Sequence, residues 1–167
     1  MASKPQDEPK KEFLGSYLPY LLNRVAREML KGVDEKFAQH GLTVSKWRIL
    51  AVLSDQGTRR FGELADLTSI EPATLSRFVS ALQKEGLIRR RRSTTDARAV
   101  RIALTEHGEA VFNATLPWAG EAENRLAQGL STTELEQLKR MLIHIYGNIH
   151  EHELTDLELN LAIETSE

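Results

Sequence analysis

Between Phe61 and Leu104 the spacing of apolar residues changes from a helical to an alternating period, and this change constrains the fold more than any other feature of the chain. Phe61 to Leu67 reads as a short helix. A break at Thr68-Ser69-Ile70 follows, and Glu71-Pro72 opens a second helix, proline being favoured at a first helical position where its missing N–H is no loss. Within that helix Leu75, Val79 and Leu82 recur at steps of three and four and face inward, which leaves Thr74, Ser76, Arg77 and Ser80 outward. Gly86 ends it. Beyond Ile88 and the run Arg89 to Arg92, a polar turn at Ser93-Thr94-Thr95-Asp96 leads into Val100, Ile102 and Leu104, which alternate with Arg101 and Ala103. That pattern predicts a β-hairpin with one buried face.

Helical patterns flank this segment on both sides. Leu18, Leu22, Val25, Met29, Val33 and Phe37 draw one stripe along a first helix over 14 to 39, with Pro19 early in it and Gly41 as a stop. Thr43 caps a second helix to about Ser54, with Trp47, Leu50, Ala51 and Leu53 inward. After the hairpin, Thr105 caps a helix to about Gln128 that Pro117 is expected to kink or split. Ser131-Thr132-Thr133-Glu134 is a capping box, with Leu130 and Leu135 placed as its hydrophobic staple. From there Leu135, Leu138, Leu142, Ile145 and Ile149, then Leu154, Leu157 and Leu161, continue an apolar seam that needs a partner.

The charge is divided along the chain. Residues 59 to 101 hold ten Lys/Arg against five Asp/Glu, whereas residues 130 to 167 hold two against eight, although the net charge is only −2. A basic segment beside an acidic one suggests that one face meets a polyanion and another does something else. The 167 residues fit one domain with its own core, and no apolar run reaches the length of a membrane span. Residues 1 to 12 carry no apolar stretch after their basic residues, so they read as a disordered tail and not as a signal peptide. The absence of cysteine fits a cytoplasmic location and excludes a thiol-based sensor.

Short helix, tight turn, second helix and basic hairpin form, in that order, a helix-turn-helix with a wing: the first helix braces the second, whose polar side can enter a major groove. The hairpin arginines can then reach phosphates, Arg89 and Arg91 on one side with their alternates turned away. The run from Gly62 to Gly108 resembles the winged helix-turn-helix of the multiple-antibiotic-resistance regulator (MarR) family, through Glu63-Leu64-Ala65, Thr74-Leu75-Ser76-Arg77, Leu82 with Gly86-Leu87, Asp96-Ala97-Arg98, and Leu104-Thr105 with Gly108. Leu42-Thr43 and Trp47-Arg48-Ile49-Leu50 extend the likeness. It implies a mainly α fold with a small β-hairpin wing (α+β), in which the first and last helices form a dimerisation region over 13–40 and 130–167. The DNA-binding region would be 41–104 and a connecting helix 105–129. By the same resemblance Thr74, Ser76 and Arg77 face the major groove, Arg98 enters the minor groove and Asp96 orients it. A homodimer would bind a pseudo-palindromic operator, repress transcription and be released by a small, often aromatic or phenolic, anion. Two positions depart from the family pattern: Glu71 stands where Ser or Thr caps the recognition helix, and Arg60 where a small residue opens the preceding one.

An effector site is expected where Tyr17, Tyr20 and Arg24 share a helix face near Trp47, Arg48 and Trp118, since rings with an arginine at their rim suit an aromatic carboxylate. The alternative is that these rings fill the core. Leu14, Leu18, Leu154, Leu157 and Leu161 are the dimerisation candidates. His144, His150 and His152 raise a zinc-responsive reading, but 144 to 150 is not a same-face step and no HExxH or paired-cysteine pattern exists, so no metal site and no cofactor are expected. No nucleophile elbow, phosphate-cradling glycine loop or cofactor fingerprint supports an enzyme. A winged-helix module that makes only protein contacts is the other alternative, and it leaves the ten basic residues unexplained.

Overall fold

The computed structural model describes residues 13–92 and 100–149. Residues 1–12, the hairpin turn with Asp96 and Arg98, His150, His152 and the seam residues Leu154, Leu157 and Leu161 lie outside them. Two compact units are present, Met1–Ala122 and Glu123–Glu167.

In the first unit the expected single opening helix is two: α1 (Phe13–Ser16) and α2 (Leu18–Ala38), separated at Tyr17, whose backbone is extended. Pro19 is the reason, because it has no N–H to carry the helical ladder back to Gly15. The apolar stripe of α2 is also divided in its use. Val33 and Phe37 enter the core, while Leu18, Leu22, Val25 and Met29 are exposed. Helix α3 (Val44–Gln56) starts as expected, with the Thr43 hydroxyl accepting from the Lys46 N–H at 3.2 Å. It runs two residues past Ser54 and stops at Gly57, whose φ of 73° favours glycine.

A short strand that the sequence reading missed comes next: β1 (Arg59–Arg60), ahead of α4 (Phe61–Thr68). The N–H of Arg60 donates to the Glu63 carboxylate at 2.8 Å, which steadies the start of α4 without a small capping residue. Helix α5 (Pro72–Lys84), strands β2 (Ile88–Arg92) and β3 (Val100–Leu104) and helix α6 (Glu106–Leu126) complete the order. The sheet is antiparallel with order β1-β3-β2, so the expected hairpin is part of three strands. Pro117 lies inside α6, which stays one helix and is not split.

The core gathers Phe37 of α2, Ile49, Leu50 and Leu53 of α3, Leu64 of α4, Leu75, Val79 and Leu82 of α5, and Ile88 and Ile102 of the sheet. Each large aliphatic side chain buried there contributes about 1.5–3 kcal/mol. Beside it Trp47 stacks on Phe37 with ring centroids 5.2 Å apart, and its indole N–H donates to the Thr115 hydroxyl at 3.0 Å. Thr115 in turn donates within α6, to Val111 O or Phe112 O, so this buried polar group is satisfied.

In the second unit α7 (Thr132–Ile149) begins at the expected capping box: Ser131 N–H donates to Glu134 at 2.8 Å and Glu134 N–H donates back to the Ser131 hydroxyl at 3.3 Å. The second unit includes the last residues of α6 from Glu123 on, and within it Lys139 of α7 pairs with Glu123 at 2.9 Å. Leu138, Met141, Leu142 and Ile149 of α7 are exposed.

Candidate nucleic-acid interface

Helices α4 and α5 meet at a turn that several side chains hold. Ser69 ends α4 in the left-handed region, with φ of 51°. The buried Thr68 hydroxyl donates to Leu64 O at 2.6 Å, and Arg48 of α3 donates to Thr68 O at 3.1 Å, closing one of the carbonyls a helix end leaves open. Lys46 pairs with Glu85 at 2.6 Å and anchors the far end of α5 to the start of α3. A recognition helix must be braced in this way, because its contacts depend on its angle to the groove.

On α5 the division of faces follows the sequence reading. Leu75, Val79 and Leu82 are buried, Ser76, Arg77 and Ser80 are exposed, and Thr74 is half-buried. Arg77 donates to the Thr74 hydroxyl at 3.0 Å, which holds its guanidinium over the first turn. Glu71 does what a serine or threonine would do at the helix start. Its carboxylate accepts from Ala73 N–H and Thr74 N–H, both at 3.0 Å. These bonds hold its carboxyl below the usual carboxylate range, the Ala73 N–H having the largest effect. The same donors are those on which a phosphate could otherwise seat, and here a carboxylate occupies them.

The hairpin register decides which arginines lie beside α5. Arg90 is paired with Ile102 and shares its face of the sheet with the buried Ile88 and Ile102. Its guanidinium donates to the Ser80 hydroxyl at 3.3 Å, so Arg90 extends the polar surface of α5. Arg89 and Arg91, the two chosen from sequence, are exposed on the opposite face. The parity of Ile88 was the available clue to Arg90, since residues two apart in a strand share a face.

The six effector candidates do not converge within one chain. Trp47, Trp118 and Arg48 belong to the first unit's core and its turn: Trp118 lies 6.2 Å from Phe37 and 5.0 Å from His40 between ring centroids, and Trp47 lies 5.6 Å from Phe112. Tyr17, Tyr20 and Arg24 are exposed at the other end of α2, with Tyr17 stacked on Phe13. Arg24 and Phe37 are separated by about 20 Å of helix at 1.5 Å per residue. Leu14 and Leu18 are likewise exposed. Among the described residues no group of three His, Asp or Glu is placed to hold a metal ion, and no helix is long and apolar enough to cross a membrane.

Comparison with known proteins agrees with this arrangement. Residues 42–100 match the profile of the MarR family. A transcriptional regulator of the MarR family from Silicibacter pomeroyi is 32% identical in sequence, superimposes with a TM-score of 0.76, and is matched over 84% of this chain and 94% of its own. A second MarR family transcriptional regulator, from Silicibacter pomeroyi DSS, is 29% identical with a TM-score of 0.78, over 90% of this chain and 100% of its own. The homoprotocatechuate degradative operon repressor of Escherichia coli is 27% identical over 104 residues, 62% of this chain and 70% of that protein. With its braced helix pair, its three-stranded sheet and a relative this similar over most of both chains, the protein belongs to the MarR family of transcriptional regulators.

Proposed function

We propose that the protein represses transcription by binding duplex DNA sequence-specifically as a homodimer, with α5 in the major groove and the tip of the β2–β3 hairpin in the minor groove. The observation that carries this reading is the face of α5: it buries Leu75, Val79 and Leu82 and offers Thr74, Ser76, Arg77 and Ser80, extended sideways by Arg90. Arg77 can give a bidentate contact to guanine, and the hydroxyls accept or donate to either base of a pair. Arg89 and Arg91 suit phosphates, and Asp96 and Arg98 are assigned to the wing tip by family likeness. The exposed apolar residues of α1 and α2, including Leu14, Leu18, Leu22 and Val25, and those of α7 support a dimer, because an uncovered apolar surface of that extent favours association. Leu154, Leu157 and Leu161, outside the described residues, stay dimerisation candidates on their spacing in the sequence alone.

Release by a small aromatic anion is the second part of the reading. Its support is the E. coli relative, named as repressor of a homoprotocatechuate-degrading operon, together with exposed Tyr17, at the break before α2, and exposed Tyr20 and Arg24 in the first turns of α2. Trp47, Arg48 and Trp118 are already engaged in packing and hydrogen bonds, so Tyr17, Tyr20 and Arg24 carry the ligand proposal. A ligand releases DNA only if it binds the DNA-incompetent state more tightly.

Selection of bound sequences from random duplexes by the full chain tests the DNA reading, and a two-fold-related pair of half-sites is the expected outcome. Recovery of no preferred sequence would defeat it. Titration of the selected duplex with aromatic acids, on wild type and Arg24→Ala, tests the effector site: release from the wild type alone supports it, and equal release from both removes Arg24.

A further inference from the structure

The register of the sheet brings together arginines that are far apart in sequence. Arg60 of β1 and Arg91 of β2 are both paired with Arg101 of β3, so the three stand in one row across the strands. Directly opposed residues of antiparallel strands project to the same side, with Cα atoms about 4.5–5.5 Å apart. The buried Ile102 sits in the neighbouring row, between Arg59 and Arg90, so the arginine row is on the opposite face, which at its far end also carries the buried Ala103 beside Arg89. Arg89, two residues from Arg91, lies on that same face. Arg60 and Arg91 are exposed and Arg101 half-exposed.

Like charges opposed across strands destabilise a sheet, and this one opposes them twice in succession. Among the described residues no side-chain ion pair is made by an arginine of the row, and the one carboxylate bonded to it, that of Glu63, accepts from the Arg60 main-chain N–H. None of the three belongs to the hydrophobic core, and Arg60 and Arg91 are exposed. A row of fixed cations that the fold tolerates without using is matched by a polyanion of regular spacing, such as a nucleic-acid strand.

We infer that Arg60, Arg91 and Arg101 form a backbone-binding row that holds the sugar-phosphate of the duplex read by α5, on the face of the sheet opposite Arg90. This rests on the DNA-binding reading and adds Arg60 and Arg101 to it. Two rows then serve different tasks. The Arg90 side continues the base-reading surface of α5, while the row with Arg60, Arg91 and Arg101 takes phosphates and carries no sequence information. The row also gives Arg60, a departure from the family pattern at the start of α4, a role that a small capping residue lacks.

The experiment compares full-length wild type with Arg60→Gln/Arg91→Gln/Arg101→Gln and with a charge-keeping variant, Arg60→Lys/Arg91→Lys/Arg101→Lys. Duplexes selected by the wild type and a scrambled duplex are titrated over a range of salt. Each lost phosphate contact lowers the slope of log K against log salt by about 0.9, so a fall of about 3 is expected for the glutamine variant, with the preference for the selected over the scrambled duplex unchanged. The lysine variant keeps the wild-type slope. Without DNA, the glutamine variant melts at the same or a higher temperature at low salt, since repulsion is relieved. A wild-type slope in the glutamine variant, on a duplex the wild type binds, overturns the row and leaves the α5 reading standing. A glutamine variant that melts well below wild type also overturns it, because the arginines would then be serving the fold. Failure of the wild type to bind any duplex overturns both.

Discussion

Replacing Gly108 by alanine is a sharp test of how the hairpin is fixed to the rest of the first unit. Gly108 is a buried residue in the first turn of α6, and a Cβ added there would lie 1.9 Å from Leu87 O and 2.9 Å from Leu87 C. Ordinary contact begins at 3.4 Å, so the two elements must part by about 1.5 Å. The obstacle is backbone and cannot rotate away. The same carbonyl accepts from Thr105 N–H at 3.1 Å, and the Thr105 hydroxyl bonds Gly86 O at 2.6 Å and accepts from Gly108 N–H at 3.0 Å. Overpacking of this kind costs about 1–3 kcal/mol, and one or two strained hydrogen bonds add about 1 kcal/mol each. Alanine's better helix propensity returns about 1 kcal/mol, which leaves a net loss of about 3 kcal/mol. For a chain of this size that is a fall in Tm of roughly 6–12 °C. Because Leu87 leads directly into β2, duplex affinity should fall as well. Thermal denaturation followed by circular dichroism reads the first effect and a duplex titration the second. Gly62→Ala is the control, since nothing lies within 4 Å of its added Cβ, and it should be neutral or slightly stabilising. A Gly108→Ala protein melting within about 2 °C of wild type would refute the close approach on which the estimate rests.

Trp47→Phe removes the indole bond to Thr115 but keeps a ring against Phe37 and Phe112, so a loss of about 1–2 kcal/mol is expected in chemical denaturation. Arg98→Ala should weaken binding to a selected duplex by about 1–3 kcal/mol with no change in Tm, and unchanged affinity would remove the wing assignment. The Glu71 carboxyl is held below its ordinary 4.5 in the folded chain, so its capping is complete above about 4.5 and is lost as pH falls through the lowered value. Hydrogen exchange at Ala73 and Thr74 should therefore quicken on acidification in wild type, relative to neighbouring amides, and show no such acid-dependent change in Glu71→Gln.

How much of this was legible in the sequence depends on the range of the interaction involved. The start and end of α5, the Thr43 cap and the Ser131–Glu134 box were readable because a helix is built from contacts three and four residues apart, which the order of residues states directly. The division of α5 into an apolar and a polar face was readable for the same reason, and with it Thr74, Ser76, Arg77 and Ser80. Strand β1 was not readable, since two residues carry no period and Arg59-Arg60 become a strand only by bonding β3, some forty residues on. The break at Tyr17 could have been found from Pro19, whereas the Pro in α6 suggested a break that the packed helix does not make.

The proposed DNA-binding surface divides along the same line. Local pattern determined that α5 presents hydroxyls and an arginine, and that the hairpin is basic. Tertiary structure alone decided that Arg90, and not Arg89 or Arg91, touches Ser80, and that Arg60 and Arg101 line up with Arg91. It also put Trp47 and Trp118 around Phe37, far along α2 from Tyr17, Tyr20 and Arg24. Strand parity says which residues share a face, but which face meets a given helix depends on hydrogen bonds and packing between segments distant in sequence.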